Sequence, residues 1–198
     1  MAGLLGEGRG RGGRPRATSR AELERIGFEL FDGRGFEAVT VDDIAAAAGI
    51  GRRTFFRYFS SKNDLVWGDF EVQLGWLRKL LAAVPAETPV MTALRTAIVE
   101  FNRFDPATVS WHRRRMELIL HVPALQADST LRYQAWRDIV TEFAASRAGL
   151  DPAELGPSLT GHVALAASVA AYERWLRDEN ADLAELLDEA FGRLAAGL

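Results

Sequence analysis

The sequence predicts an all-α protein in two parts, a small N-terminal helical bundle and a larger C-terminal one, with about nine helices. Three observations carry this expectation. Apolar residues recur at spacings of three and four along most of the 198 residues. Capping patterns, glycines and prolines cut the chain into segments of helical length. No run of β-branched residues bounded by turns argues for a sheet.

The elements follow in order. Residues 1–17 are rich in Gly and Arg, lack periodicity, and are expected to be a disordered basic tail. Ser19, with Glu22 three later, caps a first helix carrying Leu23, Ile26, Phe28, Leu30 and Phe31, ended by Gly33 and Gly35. Thr40 with Asp43 opens a second helix in the same way, and Ile44, Ala45 and Ala48 follow at helical spacing. Gly49-Ile50-Gly51 is a tight turn before a short third helix, Arg52–Tyr58. Ser61, with Asp64, caps a fourth helix reaching about Val84. After Pro85, a fifth runs from Thr88 or Pro89 to about Phe104. Asp105-Pro106 breaks the chain, and Trp111–His121 and Ala124–Ala148 follow, with Pro123 between them. Asp151-Pro152 reads as an N-cap with proline in the first turn of a helix to about Arg177. Asp182–Ala196 is the last.

Composition bounds the function. The chain is 48% hydrophobic and 26% charged, as ordinary globular proteins are. It has no cysteine, which excludes disulfides, thiol nucleophiles and Cys-ligated metals and fits a reducing compartment. No apolar stretch reaches spanning length, and the N-terminus lacks the apolar core of a signal peptide. A cytoplasmic, nucleoid-associated protein with no membrane partner is expected. His112, His121 and His162 are scattered, and no metal pair, nucleophile elbow or phosphate loop appears. No catalytic residue, metal site or cofactor is therefore expected. The net charge of −3 conceals an asymmetry: residues 1–62 hold 11 Lys and Arg against 8 Asp and Glu, and the remainder 13 against 19. A basic N-terminal third on an acidic body suits a polyanionic partner at one end.

The sharpest motif in that third is the run GFEAVTVDDIAAAAGIGRRTFFRYFSSK over residues 35–62. Two short helices joined by a glycine turn form a helix-turn-helix. The second must present short and cationic side chains to the major groove. Arg52, Arg53 and Arg57 lie there with Thr54: Arg can pair with guanine O6 and N7, and Thr can touch a thymine methyl. Phe55 and Phe59, four apart, can pack on the inner face. Thr40 and Lys62 sit at helix starts that suit phosphate oxygens, and the Tyr58 hydroxyl can serve likewise. Arg14 and Arg16 are candidates for a minor-groove arm.

Residues 18–64 resemble the TetR family of transcriptional regulators. The family's usual run is a glycine-aromatic pair, a T-x-x-D-I-A-x-x-A-G helix, and an aromatic-rich stretch ending Y-F-x-S-K. Here these are Gly35-Phe36, Thr40-Val-Asp-Asp-Ile-Ala45, Ala48-Gly49, Thr54-Phe55-Phe56-Arg57-Tyr58-Phe59 and Ser61-Lys62. The sequence departs from the pattern at Gly51, where many members have a capping Ser, at Arg53, where Gly is common, and at Phe56, where Tyr is common. The resemblance implies a DNA-binding domain over residues 18–62, an effector-binding and dimerisation domain over 63–198, and a dimer on near-palindromic double-stranded operator DNA. It also implies repression as the commonest mode. The runs GRRTFFRYF, LVWGDF, FNRFDP and WHRRRM resemble a subgroup associated with mycofactocin gene clusters, and that resemblance implies an acyl-coenzyme A effector.

In the C-terminal half, Trp67, Phe70, Trp111 and Trp136 are candidates for core or for a pocket wall. Phe101 and Phe104, and Met116 and Leu120, share helical faces that could line an apolar tunnel. Arg103 and Arg113, with Arg114 and Arg115, could meet phosphates at its mouth or form a solvated face. Gly161, Ala164, Ala167 and Ala171 form a small-residue stripe; Leu159, Val163, Ala166 and Ala170 adjoin it. Leu183, Leu187 and Phe191 follow on the last helix. These stripes read as a dimer surface or as an internal hairpin. The resemblance implies the former, a four-helix interface between subunits. The rival to a regulator is a helical acyl-CoA-binding module without DNA function, which leaves the basic helix-turn-helix unexplained.

Overall fold

Three helices and the start of a fourth build the N-terminal unit of the computed structural model, which describes residues 18–197. Arg14, Arg16 and the rest of the expected tail lie outside the described residues. Helix α1 (Arg20–Arg34) starts where the Ser19 side chain accepts from the Glu22 N–H, and ends where Gly35, at φ +80°, lets its N–H reach the Phe31 carbonyl. Helix α2 (Val41–Ala47) has the full capping box between Thr40 and Asp43. Helix α3 (Arg52–Phe55) is a single turn, and no side chain caps it at Gly51. Residues 56–58, expected as helix, continue as turn. Helix α4 (Lys62–Trp67) follows. Leu23, Phe28, Phe31, Phe36, Ile44, Phe55, Phe59 and Leu65 form the buried core of this unit. Each such side chain contributes about 1.5–3 kcal/mol by leaving water. Gly27 admits Leu65: a Cβ there would stand 2.8 Å from the leucine's Cδ2.

The expected single helix over residues 61–84 is two. Trp67 ends α4, Gly68 takes φ +64°, and α5 (Phe70–Ala83) begins two residues later. This break raises the expected nine helices to ten segments among the described residues. A Cβ on Gly68 would meet the Arg115 guanidinium at 2.6 Å, so a glycine suits both the left-handed backbone and the packing.

The second unit, from Val66 onward, adds α6 (Val90–Phe101), α7 (Pro106–His121), α8 (Pro123–Ala148), α9 (Leu155–Arg177) and α10 (Leu183–Ala196). Its core joins Leu74, Leu77, Leu94, Ile98, Val140, Ala164 and Trp175. Three expected boundaries move. Helix α6 stops at Phe101, where the Asn102 amide donates to the Ile98 carbonyl, so Phe104 lies beyond the helix. Helix α7 begins at Pro106 instead of Trp111, because the Asp105 side chain caps the Ala107 N–H. Asp151 caps a turn at Ala153, and the helix itself starts four residues later, at Leu155.

The stripes of α9 divide. Gly161, Ala164 and Ala171 are buried against the rest of the chain. A Cβ on Gly161 would lie 2.3 Å from Thr141 Oγ1 and 3.0 Å from the Arg137 carbonyl oxygen, so glycine sets the approach of α8 and α9. That stripe is an internal seam, contrary to the dimer reading. Leu183, Leu187 and Phe191 are likewise corrected: they are 5%, 0% and 0% exposed, because α10 turns its apolar face onto α6 and α9. Leu159, Ala166 and Ala170 face outward, with Val163 and Ala167 half-buried beside them.

Candidate functional site

Two regions collect the candidate residues, one in each unit. In the first, α3 presents Arg52, Arg53 and Thr54, with Arg57 in the turn that follows. Arg53 and Arg57 are exposed and form no ion pair among the described residues. Arg52 is exposed too, but its guanidinium pairs with Asp42 at 2.7 Å and lies 5.4 Å from the centre of the Phe56 ring. Phe56 is itself 43% exposed.

Three expected phosphate donors are engaged inside the unit. The Thr40 hydroxyl and N–H both donate to the Asp43 carboxylate. Those two bonds, with help from Arg34, hold the Asp43 carboxyl down at about 2. The Tyr58 hydroxyl donates to the Thr18 carbonyl at 2.8 Å, while Arg20 donates to the Tyr58 carbonyl at 2.6 Å. The one hydroxyl proton of Tyr58 is therefore directed, in the single chain, to the backbone before α1. Lys62 is also engaged within the unit. Its ammonium donates to the Phe36 and Val39 carbonyls at 2.7 and 2.8 Å and sits 4.0 Å from the centre of the Phe36 ring. Burial lowers its pKa, against a rise from Glu37. The lysine fastens the loop between α1 and α2, a long-range role that local sequence does not reveal.

In the second unit a cavity of about 200 Å³ opens among α4, α5, α6, α7, α8 and α9. Trp67, Phe70, Phe101, Phe104, Met116, Leu120 and Trp136 line it, as the sequence suggested. Three candidates stand outside its wall. Arg103 pairs with Glu100 at 3.0 Å. Arg113 donates to the Trp175 carbonyl and covers the indole ring at 4.1 Å. Trp111 lies 5.4 Å beneath the Arg114 guanidinium. Of the arginine triplet, only Arg115 enters the wall.

The sequence reading also missed polar groups of the wall. His112 Nε2 is 2.8 Å from the Tyr172 hydroxyl, which donates to Asn102 Oδ1 at 2.6 Å. Since the tyrosine proton goes to asparagine, His112 donates through Nε2–H and is neutral. Burial, and then Arg115, pushes its pKa down to about 3. Its ring lies on Phe104, with centroids 3.9 Å apart. Burial raises Tyr172 above the ordinary tyrosine range and Tyr133 to about 12. The spacing His112, Arg115, Met116, Ile119 is one helical face, and Leu165, Ser168, Val169, Tyr172 is another. That periodicity could have extended the wall from Met116 alone. Among the described residues there is no cluster of metal-ligating side chains and no helix long and apolar enough to cross a membrane.

Comparisons with known proteins match each unit. Residues 26–66 match the family described as bacterial regulatory proteins, tetR family, and residues 88–198 match the MftR C-terminal domain. The chain is 43% identical over 186 residues, 94% of each chain, to MftR of Mycobacterium tuberculosis, a protein named for regulation of mycofactocin biosynthesis. Among solved structures it is similar to the fatty acid degradation regulator FadR of Bacillus halodurans, with 18% identity and a TM-score of 0.67 over 93% of this chain and 98% of that one. It is also similar to Thermus thermophilus FadR, a repressor solved with lauroyl-CoA, with 23% identity and a TM-score of 0.57 over 91% and 95% of the two chains.

Proposed function

The chain belongs to the TetR family of bacterial transcriptional regulators, and from that premise we propose that it is a homodimeric repressor released from its operator by a fatty acyl-CoA. The family consists of DNA-binding regulators and not enzymes. A module without DNA function is set aside because residues 26–66 are a helix-turn-helix of that family.

The observation that carries the effector reading is the aromatic cavity with one arginine, Arg115, in its wall. An apolar pocket with few polar groups takes an amphiphile, and Arg115 suits an anionic one. The lauroyl-CoA bound by the Thermus relative supports the same class. On the DNA side, Arg53, Arg57 and Thr54 are the free contacts we assign to the major groove, with Arg52 available if its pair to Asp42 opens. Arg14 and Arg16 remain candidates for a minor-groove arm. Two recognition helices would engage grooves about 34 Å apart. Release requires the acyl-CoA to prefer the conformation whose recognition helices are wrongly spaced.

The test is a gel shift on operator DNA with acyl-CoAs of increasing length. Specific binding should weaken steeply with salt. Longer acyl chains should release the DNA at lower concentration, by roughly 0.8 kcal/mol per buried methylene until the cavity is full. Free CoA acting as well as the acyl forms would overturn the effector; no fragment bound above background would overturn the regulator.

A further inference from the structure

We propose that the cavity reads a carbonyl oxygen of its ligand, the thioester carbonyl of an acyl-CoA, through the indole N–H of Trp67 and the hydroxyl of Tyr133. The proposal rests on the acyl-effector reading and adds the group that is recognised. Trp67 is 7% exposed, and its Nε1 is shut off from solvent with no hydrogen-bond partner. An indole N–H can only donate, and leaving it unmatched is unfavourable. Packing alone does not need it. The ring is held edge-on by Phe70 at 5.3 Å and by Tyr133 at 5.9 Å, and the Arg132 guanidinium lies 5.0 Å from its centre. A phenylalanine would make much the same contacts.

The Tyr133 hydroxyl is also shut off from solvent, with no partner in hydrogen-bond geometry. Ser129 beside it sends its own proton to the Gln126 carbonyl at 2.7 Å. Burial keeps Tyr133 protonated, so it too is a donor. The two groups come from α4 and α8 and meet ring to ring in one wall of the cavity. Four other neutral polar residues of the wall are already bonded: His112, Tyr172 and Asn102 bond one another, and Ser168 donates to the Ala164 carbonyl. At Trp67 and Tyr133 the unmet demand is neutral and for an acceptor. A carbonyl oxygen offers two lone pairs and no charge, which matches two neutral donors.

Calorimetric titration of the full chain with palmitoyl-CoA and with its thioether analogue hexadecyl-CoA isolates the carbonyl. The two share chain and phosphates. Palmitoyl-CoA should bind about tenfold more tightly. Trp67→Phe and Tyr133→Phe should each narrow that ratio, and the double variant should bring it to about one, with the affinity for hexadecyl-CoA unchanged. Equal affinities in the wild-type chain, or variants that weaken both ligands alike, overturn the proposal and leave the acyl-effector reading standing. Binding of neither ligand overturns both. Should Trp67→Phe fail to fold, it binds neither ligand, and the wild-type ratio and Tyr133→Phe decide.

Discussion

At the scale of single residues, His112 shows how the fold sets a protonation state. Its neutral form is held by burial and by the donation to Tyr172. The folded pKa, about 3, lies below the unfolded value of about 6.5, so between them the unfolded chain binds the extra proton. Stability should therefore be unaffected by this group above about pH 6.5 and fall as pH drops toward 3. Between pH 7 and 5 the loss should be about 2 kcal/mol in denaturant titrations. His112→Gln keeps a donor for Tyr172 and should flatten that dependence; an unchanged slope would place the proton elsewhere. Lys62 and Tyr58 make the complementary point. Both carry groups suited to phosphate, yet both donate to backbone carbonyls of their own unit. Residue type announced a hydrogen-bond donor, and only the fold shows the partners, 23 to 40 positions away, that each has within the single chain.

At the scale of elements, local signals were legible and tertiary ones were not. Ser19, Thr40 and Ser61 cap their helices as expected, because a cap involves only residues two or three apart. The break at Gly68 was missed because an isolated glycine is tolerated in a helix, and the Arg115 side chain that packs on it lies 47 positions on. The small-residue stripe of α9 was legible as a close approach, but its partner was not; the Thr141 side chain and Arg137 backbone of α8 fill that role. Gly161→Ala should cost about 1–3 kcal/mol in the midpoint of chemical unfolding, since the Arg137 carbonyl belongs to a helix backbone and cannot step aside. Gly68→Ala should cost about 1 kcal/mol, chiefly from its left-handed backbone, because the guanidinium facing it is the mobile end of a side chain. Equal losses at the two positions would contradict this distinction.

At the scale of the whole molecule, the outward stripe of α9 and the inward face of α10 separate association from folding. Leu159, 54% exposed, and Ala166 and Ala170 remain on the surface of the single chain, with Leu155 80% exposed one turn earlier. We assign this stripe to the subunit contact that the family uses. Ala166→Glu should yield a folded monomer in sedimentation velocity and lose operator affinity, with its unfolding midpoint at high dilution unchanged. Leu187→Ala should instead lower stability by about 2–5 kcal/mol, because a fully buried leucine leaves a cavity. If Ala166→Glu still dimerises, the interface lies on another face.

The shortness of α4 has a practical consequence for building hybrid regulators. Leu65 belongs to the N-terminal core, where it fills the space over Gly27, while Trp67, two residues on, lines the cavity of the other unit. Those neighbours in sequence have opposite loyalties, and the peptide bond between Leu65 and Val66 lies between them. A chimera that grafts a foreign DNA reader onto this sensor should be spliced there. A junction placed after α5, where the helical pattern looks like the more natural seam, would exchange Trp67 and Phe70 along with the reader and hand the hybrid a sensor with part of its wall taken from a stranger.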